Sequence, residues 1–416
     1  MPLKRPGARR VTSDHLRELA ELADTAGAMV VGEMTQQIER PHPGTYLGSG
    51  KLQELAARAK ELQASLVIFD DELSPSQGKN IEDAIGTRVM DRAELILDIF
   101  ATRARSAEAK MQVELAQLEY MLPRLTRMWS HLEKFRGGIG VRGPGETQLE
   151  TDRRLINHRI KILRERMLDI QRGRVVQRQS REHEFKASIV GYTNAGKSSI
   201  LRSLSGQEVF VEDRLFATLD PLTRDVDLGE HSHVLVTDTV GFIRKLPHHL
   251  VASFRATLEE TRESDLLLHV IDAGSPSWEE QRIVVDQVLD ELGVGDRPKL
   301  LVFNKIDLLT QDHLLALQDR IGTLVPTSVF VSTRTDGGLE PLKRALAAAV
   351  RLRRPVTHIR MSPANGKLLA EIHRDGEVLE QRMEGELLFV EARVDQSLAG
   401  RLRKAGATVS NGSASR

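Results

Sequence analysis

The chain contains no cysteine in 416 residues. Disulfide frameworks and thiolate metal sites are therefore excluded. Aromatic residues are scarce at 4%, although apolar residues as a whole reach 40%, enough for real cores. There is no excess of either charge: 59 Lys and Arg balance 59 Asp and Glu. Taken over the whole chain, that balance argues against a nucleic-acid binder. No apolar run reaches the length of a signal peptide or a membrane helix, so a cytoplasmic protein is the default expectation. The length suggests two to four domains. The basic, proline-bearing start, Met1 to Arg10, and the low-complexity end from Ser410 are expected to be disordered.

The segment Gly191-Tyr192-Thr193-Asn194-Ala195-Gly196-Lys197-Ser198 reads G-x-x-x-x-G-K-S. The apolar run Ala187-Ser188-Ile189-Val190 precedes it, and a helix-compatible run from Ser199 to Leu204 follows. Strand, glycine loop and helix in that order are what a phosphate-binding loop requires. Glycines let successive N–H groups turn inward around phosphates, and the helix N-terminus adds a favourable dipole. Lys197 is the candidate for the β- and γ-phosphates, and the Ser198 hydroxyl for Mg²⁺. Asp238-Thr239-Val240-Gly241 ends the run Val234-Leu235-Val236. Its D-x-x-G pattern offers a carboxylate near the metal and a glycine N–H near the γ-phosphate. Asn304-Lys305-Ile306-Asp307 ends the run Leu300-Leu301-Val302-Phe303. Asp307 can accept two hydrogen bonds from the N–H groups of guanine, which adenine cannot offer. Ser332-Thr333-Arg334 ends a fourth strand-like run, Val329-Phe330-Val331, and is placed to close over the base. In this order the motifs point to GTP and match the Ras-like GTPase core.

Between the loop and Asp238 lies Phe216-Ala217-Thr218-Leu219-Asp220-Pro221-Leu222-Thr223-Arg224. A switch segment needs a threonine whose hydroxyl reaches Mg²⁺. Thr218 and Thr223 both qualify by chemistry, and a strand from Thr223 to Leu228 is the plainer alternative. Together Lys197, Thr218 and Gly241 are the candidate catalytic residues. Phe242 follows Gly241, where Ras-like proteins carry a glutamine that orients the attacking water. Phenylalanine can neither donate nor accept that bond. Slow unaided hydrolysis is expected, unless Phe242 is simply packing and the water is held elsewhere.

Between Met121 and Glu182 fifteen Lys and Arg face seven Asp and Glu. A local basic element lets an otherwise neutral protein engage RNA phosphates; a solvated helix face is the alternative. Leu115, Leu118, Leu122, Leu125, Trp129 and Leu132 form a helical seam, and Leu149, Ile156, Ile160, Leu163, Met167 and Ile170 form a second. Both suit coiled-coil packing, with Pro123 a candidate kink. Between them Arg136 to Gly145 holds five glycines in ten residues. This reads as the tip of an antiparallel helical hairpin, or as a connector with no task.

Before the hairpin, helices over Thr12–Ala23, Lys51–Leu62 and Ser76–Ile85 alternate with strands over Ala28–Val31, Leu66–Phe69 and Arg88–Met90. That alternation predicts a small α/β domain with a parallel sheet. Gly48-Ser49-Gly50-Lys51 has the wrong spacing for a second phosphate loop and reads better as a glycine-opened helix. After Arg354-Pro355, strands over Val356–Met361, Glu377–Met383 and Glu386–Arg393, with helices over Gly366–His373 and Ser397–Lys404, predict a small α+β module. The expected fold is multi-domain α/β. Its parts are an N-terminal α/β domain (1–100), the hairpin (101–182), a P-loop GTPase domain (183–350) and the C-terminal module (351–416).

The chain resembles the HflX GTPases, ribosome-associated members of the Obg-like branch. The resemblance rests on Gly44 to Lys51, Phe69-Asp70-Asp71-Glu72-Leu73-Ser74-Pro75, Gln112 to Leu118, Gly137-Gly138-Ile139-Gly140 and Arg142 to Glu150. Phe216 to Pro221 and Asp238 to Arg244 also match. One departure is Ser332-Thr333-Arg334, where Ser-Ala-Lys is more usual. The resemblance implies that Thr218 rather than Thr223 joins Ser198 at Mg²⁺. It implies binding to the large ribosomal subunit and its RNA, with GTP-dependent splitting of stalled or idle ribosomes. For some members it implies ATP binding through the N-terminal domain. A nucleotide-switched adaptor for a protein partner and an ATP-driven RNA-remodelling enzyme are the other function classes. A monomer is expected, cytoplasmic and partly ribosome-associated, with peripheral membrane association left open.

Overall fold

The computed structural model describes residues 8–37, 39–125, 145–179, 184–207, 214–229, 232–246, 261–394 and 396–411. The described residues fall into two compact units. The first covers Met1–Arg172, Glu212–Asp220 and Val240–Leu258; the second covers Gly173–Val211, Pro221–Thr239 and Glu259–Arg416. The described residues 214–220 and 240–246, which carry Thr218 and Gly241, thus belong to the first unit.

The first unit opens with α1 (Ala8–Thr25), so the helix reaches into the stretch expected to be disordered. Gly27, at φ +84°, follows α1, and Ala28 N–H donates back to Ala23 O. The strand expected at Ala28–Val31 does not form. That stretch joins no ladder, and Met29, Val30 and Val31 are exposed. Next come α2 (Ser49–Glu61), β1 (Leu66–Phe69), α3 (Pro75–Ile85) and β2 (Arg88–Asp91), with β1 and β2 paired in parallel. Local chemistry sets these bounds. Ser74 and Gln77 form a reciprocal capping box at the start of α3, and Gly86 in the left-handed region ends it. Helix α4 (Arg92–Arg103) buries Ala93, Leu95, Ile96, Leu97, Ile99 and Phe100, leaving a narrow polar stripe of Glu94, Asp98 and Thr102.

Helices α5 (Ala107–Met121) and α6 (Gly145–Gln179) follow. Leu115, Ile160 and Leu163 form one buried cluster with Met111, Leu118, Leu122, Ile156 and Met167 against it. Both expected seams therefore contribute to a single core. Arg159 pairs with Glu114 and Arg164 with Glu119. At Pro123, which has no N–H to give to the preceding turn, α5 gives way to a 3-10 turn, Leu122–Arg124. Trp129, Leu132 and most of the glycine-rich stretch, through Pro144, lie outside the described residues.

The same unit holds a polar network. Arg92, almost fully buried, bonds Glu18 and, at 2.7 Å, Asp70. Arg244 lies 3.2 Å from Glu18, and Lys245 lies 2.5 Å from Asp70 and 2.6 Å from Asp71. Burial pushes the Asp71 carboxyl up, but bonds from Lys245 and Tyr46 outweigh it and hold it below the usual carboxylate range.

The second unit is built on a six-stranded sheet in the order β4-β5-β3-β6-β7-β8. Its strands are β3 (Lys186–Gly191), β4 (Leu222–Asp227), β5 (His233–Asp238), β6 (Leu266–Asp272), β7 (Lys299–Asn304) and β8 (Val329–Phe330). All pairings are parallel except β4 with β5. Parallel strands covered on both faces read as continuous apolar runs, as Leu300–Phe303 of β7 does. Helices α7 (Lys197–Ser205), α8 (Trp278–Glu291), α9 (Gln311–Leu324) and α10 (Glu340–Arg353) complete this layer. Ligands of such sheets gather at the carboxyl ends of the strands.

Beyond α10, β9 (Val356–Met361), α11 (Gly366–Asp375), β10 (Glu377–Glu384), β11 (Leu387–Arg393), α12 (Gln396–Lys404) and β12 (Thr408–Asn411) make an antiparallel sheet ordered β10-β11-β9-β12 with its own core. Ser410 and Asn411, expected to be disordered, belong to edge strand β12. Among the described residues no helix is long and apolar enough to cross a membrane.

Candidate nucleotide site

The carboxyl end of β3 runs into the glycine loop. Gly191 has φ +155°, and a Cβ there would stand 2.3 Å from Val270 O on β6. Gly196 has φ +94°, and its Cβ would meet Asn304 Nδ2 at 2.2 Å. Close approach as well as backbone angle excludes a side chain at both ends of the loop. Tyr192, Thr193 and Ala195 are buried, and Asn194 takes a left-handed turn at φ +59°.

Lys197 opens α7 and is buried. Its Nζ donates to Tyr192 O at 2.9 Å and Gly191 O at 3.3 Å. Burial lowers its pKa to about 8, with Lys305 adding to the drop and Asp238 opposing it. Ser198 Oγ donates to Asp238 Oδ2 at 2.6 Å, so the ends of β3 and β5 bring together a hydroxyl and a carboxylate. The Thr239 hydroxyl donates to Ile189 O at 2.7 Å and pins the end of β5 to β3.

At the end of β7, Asn304 Nδ2 donates to Ala195 O at 3.0 Å. Lys305, at φ +63°, reaches Asn194 O and Asp272, each at 2.8 Å. Ile306 N–H donates to Val331 O at 3.4 Å. Asp307 Oδ1 accepts from the Ser332 hydroxyl at 2.6 Å, and Ser332 Oγ accepts from Arg334 N–H at 3.1 Å. Ser332 is fully buried, Thr333 half-buried and Arg334 exposed. The structure therefore joins three of the four motifs, and the first residues of the fourth, into one bonded set at the carboxyl ends of the strands of one sheet.

The remaining candidates belong to the first unit: Phe216, Ala217, Thr218, Leu219 and Asp220, with Val240 and Gly241. Phe216 and Leu219 are buried. Asp220 binds the start of α5 through Arg105 and Ser106. Thr223 lies in β4, its hydroxyl 2.8 Å from that of Thr237. Phe242 is buried. Sequence reasoning missed Asp272, which ends the apolar run of β6 beside Lys305. It also missed the bonds of Asp220, Arg244 and Lys245, which no local pattern encodes. The Gly48 turn is the N-cap of α2, and Lys51 pairs with Glu54 at 2.8 Å.

A sheet that is parallel apart from one edge strand, a glycine loop feeding a helix, and an Asn-Lys-x-Asp turn seated on that loop define a P-loop GTPase. Family models agree with the order of the parts: a GTP-binding GTPase N-terminal region matches 13–101, a GTP-binding GTPase middle region 103–181, and a 50S ribosome-binding GTPase 186–305. GTPase HflX of Lacrimispora saccharolytica is 46% identical over 92% of this chain and 90% of its own. GTPase HflX of Escherichia coli is 44% identical over 87% of this chain and 85% of its own. A GTP-binding protein of Sulfolobus solfataricus, solved with GDP, covers 82% of this chain and 96% of its own at 26% identity and a TM-score of 0.44. The chain belongs to the HflX family of GTPases. It binds guanine nucleotide and hydrolyses GTP.

Proposed function

We propose that this GTPase works on the large ribosomal subunit, binding it in the GTP form and splitting stalled or idle ribosomes. The observation that carries the reading is the match of residues 186–305 to a family described as 50S ribosome-binding GTPase. The basic stretch from Met121 to Glu182, part of it on α6, supports an RNA contact through phosphate attraction. The four stretches 1–100, 101–182, 183–350 and 351–416 are the working divisions of the chain. Co-sedimentation with purified large subunits tests the reading. A GTP analogue should carry the protein into the pellet and GDP should not; equal pelleting with both would overturn it.

At the site, Lys197 is the phosphate-binding cation, and the N–H groups of Gly191 to Gly196 line the phosphate path. Asp307 and Asn304 read guanine, with Ser332, Thr333 and Arg334 closing over the base and Lys305 bracing the loop through Asn194. Ser198 and Asp238, hard oxygen donors already bonded to each other, suit a small divalent cation. Ser198 and Thr218 would hold Mg²⁺, which neutralises charge on the β- and γ-phosphate oxygens. Thr218 is preferred on the resemblance to the HflX GTPases, and Thr223 lies within β4 with its hydroxyl beside that of Thr237. Gly241 N–H faces the γ-phosphate in this reading. Phe242 supplies no hydrogen bond to water, so the ribosome completes the hydrolytic site.

A further inference from the structure

The stretch that carries Thr218 is held on both sides within the first unit. Two residues before it, the Phe216 ring packs edge-on against Phe100 of α4, with centroids 4.7 Å apart. Two residues after it, the Asp220 carboxylate accepts from Arg105 N–H at 3.1 Å, from Ser106 N–H at 3.2 Å and from the Ser106 hydroxyl. Ser106 is the N-cap of α5, its Oγ accepting from Ala109 N–H at 3.0 Å. One carboxylate thus meets three donors at the positive end of a fifteen-residue helix. Both the ionised acceptor and the helix dipole strengthen these bonds. Helix α5 is in turn packed with α6 in one core. Leu215 and Leu219, buried on either side of Thr218, leave the segment little room to slide.

We propose that Asp220 is a positioning residue for hydrolysis. By clamping onto the N-terminus of α5 it fixes where Thr218 stands, and it ties any displacement of Thr218 to a displacement of α5. The inference rests on the reading of Thr218 as the metal-binding threonine.

The test uses the full-length protein and two readouts. The first is hydrogen exchange over 107–112, the opening turns of α5, with GDP and with a non-hydrolysable GTP analogue. The second is kcat and KM for GTP in the presence of large subunits. In the unmodified protein, exchange in α5 should differ between the two nucleotides. Asp220→Asn removes the charge and replaces one of the two acceptor oxygens with an NH₂, which cannot accept from the donors at the start of α5. It should abolish that difference and lower kcat about tenfold while KM stays within about twofold, the signature of misplacement rather than lost binding. Ser106→Ala should act in the same direction more weakly. The double variant should be no worse than Asp220→Asn alone, because both changes break one contact. If Asp220→Asn does not fold, Ser106→Ala is judged by the same two readouts. The proposal is overturned if α5 is indifferent to nucleotide in the unmodified protein, if the difference survives in Asp220→Asn, or if the two substitutions add. Thr218→Ala separates the two ideas. Normal analogue affinity and hydrolysis in that variant remove the threonine reading itself. A defect there, beside a normal Asp220→Asn, removes only the positioning role.

Discussion

Asp307 is exposed and accepts one bond from Ser332, while an ionised carboxylate offers about four lone-pair sites. Capacity remains for the two N–H groups of guanine. Asp307→Asn should therefore shift preference from GTP toward xanthosine triphosphate, because an amide can donate to the extra carbonyl. Unchanged selectivity in competition binding would defeat the assignment. Lys197 makes a pH-dependent prediction. With no nucleotide its pKa is held to about 8 by burial, and phosphates raise it on binding. The bound form therefore takes up a proton above pH 8. Affinity should be complete below pH 8 and fall about tenfold per pH unit just above it, until the raised pKa of the bound form is reached. Calorimetric titration of GDP at pH 8.5 to 9, in two buffers of different ionisation enthalpy, should show proton uptake that Lys197→Ala removes. At this scale the sequence was highly legible. The Gly191–Ser198 loop, Asp238 and Asn304 to Asp307 come together because each ends an apolar strand of one parallel sheet. What was not legible were partners distant in sequence: Asp272 for Lys305, and Ser106 for Asp220.

At the scale of elements, legibility followed periodicity. Strand β9 alternates buried and less buried residues, and its bounds match those read from the pattern. Helix α4 gives a weaker signal because apolar residues cover most of its circumference and leave only Glu94, Asp98 and Thr102 as a narrow polar stripe. The stretch Ala28–Val31 has strand-like composition but no ladder partner, so composition alone misled. Part of each expected seam was legible: Leu115, Leu118 and Leu122 from the first and Ile156, Ile160, Leu163 and Met167 from the second share one cluster. The glycine-rich stretch between the two helices makes a separate prediction. Replacing Gly137 to Gly145 with a short turn should leave GDP affinity unchanged, since the side-chain partners of Lys197, Asn304 and Asp307 are Gly191 and residues beyond it in sequence. It should reduce ribosome-stimulated hydrolysis about tenfold or more. Normal splitting of ribosomes by the shortened protein would reduce the stretch to a connector.

For the whole molecule, the buried Phe242 sets the expected kinetics. Turnover should be slow for the protein alone, and large subunits should raise it by at least about an order of magnitude. A fast unaided rate, indifferent to ribosomes, would show that water is positioned from within the chain. Timing also follows from the bond between Asn304 and the carbonyl of Ala195. On the proposed assignment, the turn that reads the base is the same turn that is bonded to the glycine loop through Ala195 and Asn194. A nucleotide with the wrong base fails to settle that turn, and so loosens its own phosphate grip. Discrimination should then appear as dwell time. Wrong nucleotides would arrive as fast as GTP but leave sooner, and the protein would hold its active form only for as long as guanine keeps both loops closed.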